Sequence, residues 1–193
     1  MKTIKSTALA ALTLLAGCFG SNAGAADLDL ALSSQSGAAE LIVDSSSIAS
    51  GGADIRLGML FNENNDVAGH AALMVRGAAV AGRPYNFGLG ASIYYASIDD
   101  PTKSVAALAL GFSVKYIFPG STPIGLGGDF FYAPDITTFS DGDSLADFRI
   151  RAEVDVLPSA TAFIGYRLLT TDLTGTTTHD LDDNVHLGIR ISF

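Results

Sequence analysis

Leu145-Ala146-Asp147-Phe148-Arg149-Ile150-Arg151-Ala152-Glu153-Val154-Asp155-Val156 alternates from Ala146 to its last residue. Ala146, Phe148, Ile150, Ala152, Val154 and Val156 fall on one side; Asp147, Arg149, Arg151, Glu153 and Asp155 fall on the other. Successive side chains of a strand point to opposite faces, so this is a strand with every charge on one face. An apolar sandwich core could not take that face without burying its charges. A wall between lipid and a polar lumen could. So could the wet face of a soluble sheet, and the rest of the chain has to decide.

The period of two recurs in ten runs: 27–33, 37–44, 52–61, 67–77, 85–97, 105–118, 123–132, 145–157, 160–170 and 184–193. Most are near the ~9–11 residues of a tilted membrane strand. Short connectors such as Gly82-Arg83-Pro84 and Leu157-Pro158-Ser159 alternate with longer, more acidic ones at 62–66, 99–104, 133–144 and 171–183. Short turns on one side and long loops on the other are the pattern of an outer-membrane barrel. The sequence predicts an all-β fold: one antiparallel up-and-down transmembrane β-barrel of ten strands, with eight as the alternative, occupying 26–193. An even count puts both termini in the periplasm.

Read by parity, the inner face collects Arg56, Arg76, Lys115, Arg149, Arg151, Arg167 and Arg190. Facing them are Glu40, Asp54, Asp129, Asp147, Glu153 and Asp155. The signs nearly balance, which points to a salt-bridged lumen; a narrow porin-like channel is the alternative. His70 and His186 read as polar fillers of the same space. Tyr85, Phe87, Tyr95, Tyr116, Phe118, Phe130 and Tyr132 lie near run ends, where aromatics can meet lipid headgroups. The chain has no Trp.

Composition agrees. Of 193 residues 48% are hydrophobic and 16% charged, and the net charge of −9 excludes the basic patches that nucleic acid requires. Past the first twenty residues no uncharged apolar run is long enough for a membrane helix. The start reads as a signal peptide over 1–25: basic Met1–Lys5, apolar Ser6–Ala16 and a small-residue cleavage pattern at Ala23-Gly24-Ala25. Leu15-Ala16-Gly17-Cys18 offers another cleavage, with a lipoprotein signal over 1–17 and a lipidated Cys18.

The run 184–193 carries Val185, Leu187, Ile189, Ile191 and Phe193 on one stripe. His186, Gly188, Ile191 and Phe193 resemble the signal read by the barrel-assembly machinery of Gram-negative bacteria, which implies that machinery as a partner during biogenesis. Phe130-Phe131-Tyr132-Ala133-Pro134-Asp135, the charged strand and Gly165-Tyr166-Arg167 together resemble the YfaZ family of predicted outer-membrane proteins, best over the C-terminal third. The resemblance implies an outer-membrane barrel and no activity for any residue.

No nucleophile elbow, zinc motif, phosphate loop or dinucleotide fingerprint is present. His179 with Asp141 or Asp143 is the one conceivable rim dyad of a hydrolase. Asp141-Gly142-Asp143 and Asp180-Leu181-Asp182-Asp183 lack calcium-loop spacing and read as solvated loops. The expectation is a monomeric barrel of structural or interaction role, no enzyme and without cofactor, in contact with outer-membrane lipid and lipopolysaccharide.

Overall fold

The computed structural model describes residues 25–45, 52–77, 84–99, 102–120, 124–175 and 178–193. The expected signal segment, apart from Ala25, and Cys18 lie outside the described residues. Eleven strands follow in order: β1 Ala26–Leu32, β2 Ser36–Asp44, β3 Ala53–Asn62, β4 Val67–Arg76, β5 Tyr85–Ile98, β6 Lys103–Phe118, β7 Ile124–Ala133, β8 Thr138–Ser140, β9 Gly142–Leu157, β10 Ala160–Leu173 and β11 Thr178–Ser192.

Every pairing is antiparallel, and β11 returns to β1 with Arg190 opposite Asp29. Because β5 also pairs β6, the sheet has no free side: ten strands close into a ring, and β8 is an extra fragment. It sits beside Val105–Ala107 of β6, above the reach of β7, which pairs β6 only from Leu110 onward. The ten-strand barrel expected from the sequence is the one the chain forms, and eight strands are excluded. Closure removes the unpaired edges of an open sheet.

Both chain ends of the described barrel, Ala26 and Phe193, lie at one end, which we call the terminal end; Phe193 N donates there to Ala26 O at 2.9 Å. The turns at 33–35, 63–66 and 134–141 lie at the other, distal end. The sequence reading of long distal loops needs correction. Residues 171–173 and 178–183 belong to β10 and β11, and Asp172 opposite Thr178 continues their ladder. Residues 142–144 belong to β9. The β5, β6, β9, β10 and β11 wall therefore stands taller than the β1–β4 wall, whose strands have seven to ten residues.

The barrel is apolar outside and charged inside. Exposed large side chains on the outer face include Leu89, Ile93 and Tyr95 of β5, Leu110 and Phe112 of β6, Phe148 and Ile150 of β9, and Val185 and Leu187 of β11. Their inward neighbours Ser92, Asp147, Arg167 and Asp29 are buried. Among the described residues no helix is long and apolar enough to cross a membrane.

Candidate functional site

The interior has three levels. At the distal end Leu60, Tyr94, Ile98, Val105, Phe131, Leu145, Leu169, Leu173 and Leu181 form one buried apolar cluster. It is built where inward positions on the tall wall carry large aliphatics against the alanines of β4–β6.

Below it lies an ion-pair layer centred on Asp147, which is fully buried. Asp147 accepts from Arg167 Nε at 3.2 Å and Nη2 at 3.0 Å, and from the Tyr94 hydroxyl at 2.9 Å. Arg149 stands 3.8 Å from the same carboxylate and pairs with Glu40 on β2. Arg56 Nη1 on β3 donates to Asp129 on β7 at 2.9 Å. His70 faces Glu40 at 3.4 Å and stacks on the Tyr94 ring with centroids 5.5 Å apart. Most of these bonds join strands that are not neighbours, so they fasten opposite walls together. Charge-assisted bonds are strong in such a dry space, and removing one partner leaves the other charge stranded.

Toward the terminal end the pairs continue. Arg190 donates to Asp29 through Nε at 2.6 Å and Nη2 at 2.8 Å, and Arg151 Nη1 joins the same carboxylate at 2.8 Å. Arg76 lies between Asp44 and Asp54 at 3.0 Å from each. Lys115 pairs with Glu153. A cavity of about 320 Å³ opens here, lined by Asp27, Asp44, Arg56, Arg76, Lys115 and Arg190 among others.

The structure thus brings together Arg56, Arg76, Asp129, Asp147, Arg149, Arg151, Glu153, Arg167 and Arg190 of the charges read from sequence. Asp155 stands apart: it is exposed at the terminal lip and accepts from Thr161 Oγ1. Asp29, Asp44 and Tyr94 belong to the network and were missed, although Asp27-Leu28-Asp29-Leu30 already alternates. In the run singled out as an assembly signal, Gly188 lies under the Phe163 ring, where a Cβ would collide with ring and backbone. His186 covers Gly165 in the same way, its Nε2 2.6 Å from where a Cβ would stand. Those two residues therefore have packing roles inside the barrel. Ile191 is half-buried and Phe193 exposed.

The rim dyad is not assembled. His179 is in β11, and its Nε2 stands 3.0 Å from Asp66 Oδ2. Asp141 accepts from the Ser104 amide and Asp143 from the Thr174 hydroxyl. No group of three His, Cys, Asp or Glu side chains among the described residues is arranged to hold a metal. Asp66 instead ties three elements together. Only 1% exposed, it accepts from Asn62 Nδ2 and the Asp99 amide at 2.9 Å each and meets His179 on β11. Burial pushes its carboxyl up, but these bonds outweigh burial and hold it below the ordinary carboxylate value. A depressed folded pKa stabilises above the unfolded value of ~3.9, and that contribution is lost as pH falls through the folded one. Thermal melting in detergent from pH 7 downward should show the wild type losing its advantage over Asp66→Asn below that value. A constant gap between the two at every pH would show that the charge on Asp66 contributes nothing.

No family model and no curated protein matches this chain. Solved structures that match include the outer membrane channel DcaP of Acinetobacter baumannii: 14% identity, 86% of this chain and 54% of that one, TM-score 0.44. A bacterial polysaccharide outer membrane secretin matches at 9% identity, over 88% of this chain and 69% of that one, TM-score 0.40. The chain spans about half the length of the channel. Likeness this distant carries no argument; the barrel rests on its own strand register.

Proposed function

We propose that the chain is an outer-membrane barrel, related to the YfaZ proteins it resembles, whose lumen is closed and whose role is structural or interactive. The inside-out polarity of the ring supports this reading above all. Apolar side chains left on the outside need lipid, and a closed barrel is one of only two structures that satisfy backbone groups there. The height fits as well. Tyr85 and Tyr95 point outward near the ends of β5. Ten residues at ~3.3 Å rise and a ~40° tilt span about 25 Å along the axis, the height of the apolar band in such barrels. Beyond Tyr95 the outer face turns polar with Ser97 and, on β10, Thr170 and Asp172.

In this reading the acidic distal end meets lipopolysaccharide outside the cell, and the terminal end opens to the periplasm. Purified protein should migrate faster unboiled than boiled on a detergent gel, since folded barrels resist unfolding. Inserted in a planar bilayer, it should give no steady current steps, because the apolar distal cluster and the ion-pair layer both block the lumen. Regular unitary steps at low voltage would replace the closed reading with the narrow channel.

A further inference from the structure

Something at the terminal end remains unexplained by a structural plug. Asp27, on β1, makes no ion pair among the described residues, yet it points into the terminal cavity. One oxygen of Asp44 and the Nε donors of Arg56 and Arg76 also find no hydrogen-bond partner among the described residues. Arg56 is 8% exposed and lines the cavity. Buried polar atoms are seldom left unmatched, so a cavity that gathers both donors and acceptors is shaped for something polar.

Both signs line the cavity: Asp27, Asp44 and Asp54 stand with Arg56 and Arg76, and Asp44 already holds Arg76 as Lys115 holds Glu153. In the ring of ten, β1 and β6 are diametrically opposite. Asp27 on β1 and Asp44 on β2 therefore face Lys115 on β6 across the cavity. A simple anion drawn to Lys115 would confront the two aspartates. A simple cation drawn to Asp27 would confront Lys115 and the guanidiniums of Arg56 and Arg76. A ligand bearing both charges can meet Asp27 and Lys115 together without stranding one of its own. At about 320 Å³ the space is at the small end of ligand sites.

We infer that the terminal vestibule binds a small zwitterion of the amino-acid or dipeptide class, its ammonium toward Asp27 and Asp44 and its carboxylate toward Lys115. This goes beyond the closed-barrel reading and does not depend on whether the lumen conducts.

Titration calorimetry on barrel extracted from membranes in detergent, at low salt, tests it. The probes are glycylglycine, its N-acetylated form and its C-terminal amide. Glycylglycine should bind saturably, and each blocked form about tenfold more weakly or worse. Asp27→Asn should weaken glycylglycine and leave any residual binding of the N-acetylated form unchanged. Lys115→Gln should weaken glycylglycine and spare the amide. Absence of saturable heat with glycylglycine, or equal affinity for all three probes, would overturn the assignment using the wild-type protein alone. A conducting barrel that still shows this discrimination would remove the closed-lumen reading and keep the site.

Discussion

Asp147→Ala should destabilise the folded barrel by about 3–5 kcal/mol, the cost of breaking a buried ion pair from one side. The carboxylate takes two bonds from Arg167 and one from Tyr94, so truncation strands a guanidinium and a phenol together. Arg149, 3.8 Å away, also loses a neighbour. Urea unfolding in detergent micelles, followed by loss of the unboiled gel form, measures the effect. Asp147→Leu with Arg167→Met should recover a large part of the loss, because an apolar pair of similar bulk can replace a buried ion pair at little cost. If the double variant is as unstable as the sum of the two single ones, the pair is not the unit that matters.

Why a barrel should carry such a costly layer follows from its walls. A ten-strand ring is too wide for strand-borne aliphatics alone to fill evenly, and a wet gap would weaken packing on either side. At the distal end Phe131, Tyr94 and Leu169 solve this with bulk. Lower down the solution is length: arginine side chains reach from β9 to β1 and β2 and from β3 to β7. A long side chain bonded at its tip spans the gap and fixes the register of walls that share no ladder. Polar bonds of this kind are directional, so a slipped register would leave charges unpaired.

The wall was readable in sequence wherever an apolar outer face backs a charged inner one. There the two faces differ in polarity, and residues 145–157 alternate accordingly. Above the apolar band the outer face is polar, and the buried inner face mixes Thr171 and Asp182 with Leu173 and Leu181, so polar residues stand on both faces and the contrast is lost. Thr171–Leu173 and Thr178–Asp183 therefore looked like loop although they keep a hydrogen-bonded ladder. A bulge at Leu181 hid the pattern further. It lets Leu181 and Asp182 both turn inward, which no period-two reading allows. Tyr94 was overlooked for another reason: in Ile93-Tyr94-Tyr95 both faces are apolar in composition, and only burial separates 1% from 58% exposure. The cross-lumen pairs were not legible at all. Parity placed Arg149 and Glu40 on the same inner face, but which cation meets which carboxylate depends on the rotation of the ring.

Ile150→Arg should be severely impaired in membrane assembly, whereas Thr170→Arg should accumulate almost normally. Both residues face outward on adjacent strands. Ile150 is midway along the β7–β9 ladder, which runs from Ala133 opposite Leu145 to Ile124 opposite Val154. That is the middle of the apolar band, where an arginine costs about 2–4 kcal/mol. Thr170 stands just beyond the level of Tyr166, whose hydroxyl reaches Asp183 on the exposed side of β11. Near an interface the same substitution costs only about 0–1 kcal/mol. A soluble barrel would erase the difference: arginine on its outer face would be tolerated at 150 as well as at 170. The measurement is the amount of unboiled, fast-migrating protein in membrane fractions for the two variants. Equal, near-wild-type amounts would mean that no lipid surrounds Ile150, and the membrane reading would fall with it.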